Sequence, residues 1–217
     1  MTKVASFTLA SIFLFSMLSG CIGNGNTFVE YDIDDANQVW NQYDEHYYIK
    51  RTPASNTSIG IADKLISNNE IFLLRYWDSF VYDEDELDWS EDPFDDWTWQ
   101  FYYHSLRMVS YLINAHELTG DTVYLEKAKW FIESWIEHNP SPSNQSSERA
   151  WDDHSTANRI TTFIYFWDHY RNSQIFDEEF ANEFLNMLRK HGEYTAKKTN
   201  YFWGHNHGIY QDRALIQ

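Results

Sequence analysis

Trp97-Thr98-Trp99-Gln100-Phe101-Tyr102-Tyr103-His104-Ser105-Leu106-Arg107-Met108-Val109-Ser110-Tyr111-Leu112-Ile113-Asn114-Ala115-His116-Glu117-Leu118-Thr119-Gly120-Asp121 is the stretch that decides the fold. Tyr102, Leu106, Val109 and Ile113 recur at helical spacing, and Met108, Leu112 and Ala115 form a second apolar row. The pattern predicts one helix buried on more than one side. Gly120 is suited to a left-handed C-terminal residue and Asp121 to the N-cap of the next helix. Tyr124, Ala128, Phe131 and Trp135 repeat the spacing until Asn139-Pro140 stops it. Two helices joined by so short a turn lie antiparallel.

Working outward, the pattern recurs. A Pro/Ser/Asn loop over Pro140 to Ser147 leads to a third helix with Ala157, Ile160, Thr161, Ile164 and Trp167 on one face. Asn172 to Phe176 turns the chain, Asp177 caps, Glu178 and Glu179 occupy a first turn, and Phe180, Phe184, Met187 and His191 continue. Two consecutive hairpins with polar, aromatic connections on one side predict an all-α fold, an incomplete (α/α) toroid of antiparallel helical hairpins with its site at one mouth. Upstream, Ser58 to Asn68 and Asp34 to Tyr48 are weaker helical candidates. Ile71 to Trp77 reads as a short strand or extended segment. Tyr82 to Asp96 holds nine acids and reads as a solvated loop.

The N-terminus sets the compartment. Val4 to Ser19 is uncharged and mostly apolar, follows Lys3, and ends in Leu18-Ser19-Gly20-Cys21. This is the pattern of a lipoprotein signal, with cleavage before Cys21 and lipid on its sulfur. The expected organisation is a signal peptide over residues 1–20, a lipidated tether over 21–30, and one domain over 31–217. The expected localisation is outside the cytoplasm, anchored to a membrane on its periplasmic or cell-surface side. Cys21 is the only cysteine, so neither a disulfide nor a thiolate metal site can form within the chain. No metal or cofactor motif stands out.

Formal charge is −17, and cleavage, which removes Lys3 and no acid, makes it −18. A surface this acidic repels nucleic acid, so no nucleic-acid partner is expected. An anionic ligand needs a locally positive or neutralising site. The 10 Trp, 15 Tyr and 15 Phe bear on ligand class, because aromatic faces beside amides and carboxylates suit sugar rings. Most of these rings nevertheless belong to the core.

Three clusters come forward at helix starts on one rim: Trp99 to His104, Trp151 to Arg159, and Trp203 to Tyr210. The last gathers His205 and His207 with Asn200 and Asn206 among four aromatics. Histidine trades protons near neutral pH, and glycines at 204 and 208 let the backbone turn or approach closely.

At these residues the chain resembles the N-terminal domain of the heparinase II/III-like polysaccharide lyases. The matching stretches are Phe101-Tyr102-Tyr103-His104-Ser105-Leu106 with Leu118-Thr119-Gly120-Asp121, Ser134-Trp135-Ile136 with Asn139-Pro140, Trp151 through Arg159, and Asn206-His207-Gly208. The resemblance implies an exported enzyme acting on an acidic, uronate-containing polysaccharide by β-elimination. A weakly acidic C5 proton then demands that the neighbouring carboxylate be neutralised before a base removes it. The resemblance points to Asn206 as neutraliser and His207 as base, neighbour or helix cap, with His205 behind them. It implies substrate contacts from His154, Arg159, Trp151, Tyr103, His104 and Trp203. Arg159 can fork a carboxylate or pair with Asp152 or Asp153. The family's tyrosine and C-terminal β-sandwich are expected downstream of Gln217, so the expectation is that this chain is the front of a longer protein, or a truncated gene product, inactive alone. Two other readings stand beside the lyase: a glycan-binding lipoprotein without catalysis, and a toroidal hydrolase using Asp152 and Asp153.

Overall fold

Turn chemistry sets the hairpins of this protein, for which a computed structural model describes residue 50 and residues 52–217. The expected signal peptide and tether, Cys21 and the candidate helix over Asp34 to Tyr48 lie outside the described residues. Helix α1 spans Asn56–Ser67. Strands β1, Glu70–Ile71, and β2, Phe80–Val81, pair antiparallel with Glu70 opposite Val81. Helix α2 is Trp97–His104, α3 Arg107–Thr119, α4 Thr122–His138, α5 Asp153–Tyr170, α6 Glu178–Ala196 and α7 Asn206–Leu215. Among the described residues the fold is therefore all-α apart from this small ribbon.

Caps act where the sequence places them. Gly120 adopts φ 73 at the end of α3, and the Asp121 carboxylate accepts from Val123 N–H at the start of α4. Asp177 accepts from Phe180 N–H at the start of α6, and Asp152, a cap the sequence reading did not assign, accepts from Ser155 N–H at the start of α5. Each cap satisfies an N–H that a helix start leaves orphaned.

The helices form two layers. In one, α1 packs on α3, α3 on α5 and α5 on α7; in the other, α4 and α6 cover them. The space between is filled by Leu112, Leu125, Phe131, Trp135, Phe163, Phe166 and Phe184, all without solvent exposure. Burying such side chains contributes roughly 1.5–3 kcal/mol each. A polar seam joins the first layer, where Asn114 Nδ2 donates to Thr52 and Ser58 while Tyr165 O–H donates to Asn114 Oδ1.

One expected element differs. The apolar rows that predict a single helix from Trp97 to Thr119 are split at Ser105-Leu106, with Leu106 left-handed at φ 53 and fully buried. The freed carbonyls explain the break, since Arg159 Nη1 donates to His104 O at 2.5 Å and Thr162 Oγ1 to Ser105 O at 3.2 Å. Tertiary donors from α5 replace helical ones, and periodicity cannot register this because both halves keep their apolar faces inward. The acidic stretch also differs from a plain solvated loop: Leu87 and Trp89 are core residues, and Trp89 Nε1 donates to Ser134 Oγ.

Candidate active site

Since α4 and α6 end where α5 and α7 begin, residues 139–152 and 197–205 share one rim, and the start of α2 joins them through Trp97. Gln211 holds the last connection in place. Its side chain is buried, accepts from Phe202 N–H at 3.0 Å and donates to Asn200 O at 2.7 Å. Asn200 in turn donates to Tyr194 O. Gly204 turns the loop at φ 70, and Gly208 lets it lie against α7, because a Cβ there would sit 2.7 Å from Phe202 O. His205 caps α7, its Nδ1 accepting from His207 N–H.

This folding places His207 against α5. Its Nδ1 lies 2.9 Å from Asp153 Oδ2, and since a carboxylate only accepts, Nδ1 carries a hydrogen, which in the neutral ring leaves the lone pair on Nε2. Asp153 occupies the first turn of α5, beside the Asp152 cap. His154 lies between two rings, stacked on Phe101 at 4.2 Å and on His207 at 4.3 Å, with Tyr210 at 4.6 Å. His205 meets His207 edge-on at 4.4 Å. Asn206, the first residue of α7, is exposed beside this pair, as are Phe202 and Trp203, the latter at 73%. Asn206, His207, His205, His154 and Trp203 thus gather at one exposed rim.

Four other candidates lie elsewhere. Arg159, Tyr103, His104 and Trp151 are core residues, so they offer no surface to a ligand in this structure. Arg159 packs its guanidinium 3.7 Å from the Trp135 ring centre and donates from Nε to His191 Nε2 at 2.7 Å. It forms no pair with Asp152, which Arg149 takes at 2.7 Å, nor with Asp153, which faces His207. His191 is fixed by Nδ1 donating to Met187 O, and burial, then the Arg159 charge, holds it well below the usual imidazole range. The same two causes push His104 down to about 3. Burial also lowers Arg159 from its ordinary value, yet a guanidinium starts so high that it stays charged at neutral pH. Tyr103 donates to Glu91, and burial, then that carboxylate, pushes its hydroxyl up. Trp151 donates to Asn139 O. Trp151 and Arg159 therefore build the floor beneath the rim, Arg159 being turned toward Trp135 on α4 and His191 on α6.

Sequence reasoning left three roles unassigned. Asp153 is the partner of His207, Phe101 backs His154, and Trp97 carries Arg149 at 3.8 Å on one face. Only the exposed Trp97 at a helix start gave a local signal; the pairing of residues 153 and 207 depends on the packing of α5 on α7. Among the described residues, no three His, Cys, Asp or Glu side chains gather to hold a metal ion.

Layered hairpins with an aromatic, imidazole-bearing rim define a helical-toroid domain, with the candidate site at the end where the connections lie. The chain belongs to the Heparinase II/III N-terminus family, whose profile matches residues 26–217. Its fold is similar to that of heparan sulfate lyase HepC from Pedobacter heparinus, at TM-score 0.66 and 18% identity over 97% of this chain and 30% of that one. A solved heparinase III is similar at TM-score 0.67 and 17% identity, over 82% of this chain and 29% of that one. The chain thus spans less than a third of the length of these solved proteins. No curated protein matches the sequence.

Proposed function

We propose that this chain forms the cleft-bearing N-terminal part of a polysaccharide lyase, acting on a uronate-containing glycan by β-elimination. The observation that carries the reading is the Asp153–His207 pair with Asn206 exposed beside it. Asp153 holds His207 Nδ1–H, which leaves Nε2 of the neutral ring as the base for the C5 proton. As His207 takes that proton, the developing imidazolium is stabilised by the carboxylate already in contact. Asn206 presents an amide that can donate to the uronate carboxylate, removing the charge that would otherwise oppose carbanion formation at C5. The C5–H electrons form the C4–C5 double bond and the C4–O bond breaks, its oxygen leaving with a proton from an acid or solvent. Phe202 and Trp203 supply exposed faces for neighbouring sugar rings.

The whole-protein activity, the glycan and export are parts of this proposal. The apolar run Val4 to Ser19 before Cys21 supports export with lipid on that sulfur, the anchor then holding the site outside the cytoplasm. The exposed aromatic rim also supports a second reading, glycan binding without turnover. A hydrolase using Asp152 and Asp153 gains nothing from the geometry, as Arg149 and His207 already engage those carboxylates.

Product chemistry is the test. The full-length gene product, incubated with uronate-containing glycans, is expected to generate unsaturated uronate, seen as new ultraviolet absorbance, and Asn206→Ala or His207→Ala to abolish it. Unchanged turnover in both variants would refute the site assignment. New reducing ends without that absorbance would mark a hydrolase, and retention of glycan with neither signal a binding protein.

A further inference from the structure

We propose that Trp97 and Arg149 form a distal sugar subsite of the same cleft, taking an acidic unit of the glycan more than one residue away from that held at His207; this rests on the glycan reading above. Trp97 is 68% exposed although it opens a helix whose next aromatics, Trp99 and Tyr103, are buried. One indole face is covered by the Arg149 guanidinium at 3.8 Å, and the exposure of the residue leaves the other to solvent. An indole backed by a fixed cation has the two features an acidic sugar needs. The open face takes the C–H face of the ring, and the guanidinium edge takes a carboxylate or sulfate.

Arg149 is fixed as well as stacked. Its Nη1 donates to Asp152 Oδ2 at 2.7 Å, and its backbone N–H donates to Ser147 Oγ, which itself donates to Gln100 on α2. Side-chain ordering is therefore already complete before a ligand arrives, which lowers the entropic cost of binding. Asp152 engages one nitrogen only, so the remaining guanidinium hydrogens can face a ligand.

Two chains of contact tie this pair to the candidate active site. Trp97 and Phe101 are four residues apart, hence on one face of α2 and about one helical turn from each other. Phe101 stacks on His154, and His154 on His207. By the other route, Arg149 pairs with Asp152, whose neighbour Asp153 holds His207. The subsite therefore lies along the rim from His207, separated from it by the Phe101 and His154 rings. That separation exceeds one ring, so only a ligand of several sugar units can reach both.

The test is equilibrium binding by calorimetry of size-fractionated heparan sulfate oligosaccharides, and of their carboxyl-reduced forms, to the full-length gene product carrying His207→Ala to stop turnover, which serves as the parent. Trp97→Ala is expected to weaken decasaccharide binding about tenfold and disaccharide binding less than twofold, from the loss of one stacked ring. Arg149→Met, which keeps the stem over the indole, is expected to erase the preference for native over carboxyl-reduced chains. Unfolding midpoints within a degree or two of the parent show that both variants fold. Decasaccharide affinity within twofold of the parent in Trp97→Ala overturns the subsite and leaves the glycan reading intact. Absence of any oligosaccharide binding by the parent chain overturns the glycan reading, and the subsite with it.

Discussion

Lowering the pH from 7 to 5 is expected to destabilise this protein before its carboxylates titrate, because two core imidazoles must stay neutral. His104 and His191 are both fully buried beside the Arg159 cation. Burial, then that charge, pushes His104 down to about 3 and holds His191 well below the imidazole range. The unfolded chain binds a proton at each near pH 6.5, while the folded chain does not, so stability is fully present above that value and falls as the pH drops. At about 1.4 kcal/mol per pH unit, His104 alone costs roughly 2 kcal/mol by pH 5. His191 adds in the same direction. Carboxylates such as Glu70 and Asp88, which hydrogen bonds from Ser79 and Ser90 hold below the usual range, lose their contribution only at lower pH. Urea unfolding at closely spaced pH values between 7 and 5 reads the effect as a midpoint falling by about 1 M or more. His104→Gln should be less stable at pH 7 and show a shallower slope. A midpoint independent of pH over this window, or an unaltered slope in both His104→Gln and His191→Gln, would refute the argument that these imidazoles are buried neutral.

Three further outcomes follow from the same contacts. Arg159→Ala leaves His191 Nε2 and the His104 carbonyl without their donor and removes the Trp135 stack. It is expected to cost about 3–5 kcal/mol in urea unfolding, with Arg159→Met milder because it retains the stem and buries no charge. Gly208→Ala would place a Cβ 2.7 Å from Phe202 O, so the 201–205 loop must shift; a loss of about 1–3 kcal/mol, read by thermal unfolding, is expected. Asp153→Asn keeps the size of the His207 partner and removes its charge; under the proposed mechanism kcat should fall about 100-fold or more with KM little changed, measured on the full-length gene product.

What could be read from the chain alone follows from the range over which each signal acts. Caps and helical spacing are local, so Gly120, Asp121 and Asp177 give the helix ends directly, and the short turns then give antiparallel hairpins. The break at Ser105-Leu106 is decided by Arg159 and Thr162, more than fifty residues downstream, which a local pattern cannot encode. Among site residues, Asn206, His205 and His207 stand out because two imidazoles and an amide beside glycine are rare in a plain turn, and they do gather with His154 and Trp203. Arg159 shows where such reasoning fails. A forked cation beside two aspartates suggests a carboxylate grip, but its position on α5 turns it toward Trp135 and His191, and the aspartates serve Arg149 and His207 instead. Residue type identifies a chemistry; the face of the helix decides whether that chemistry meets a ligand or the core. The consequence is a division of labour along one helix, with Asp153 and His154 at the exposed start of α5 meeting the rim, and Arg159, less than two turns on, locking the α2–α3 break that positions Phe101 beneath them.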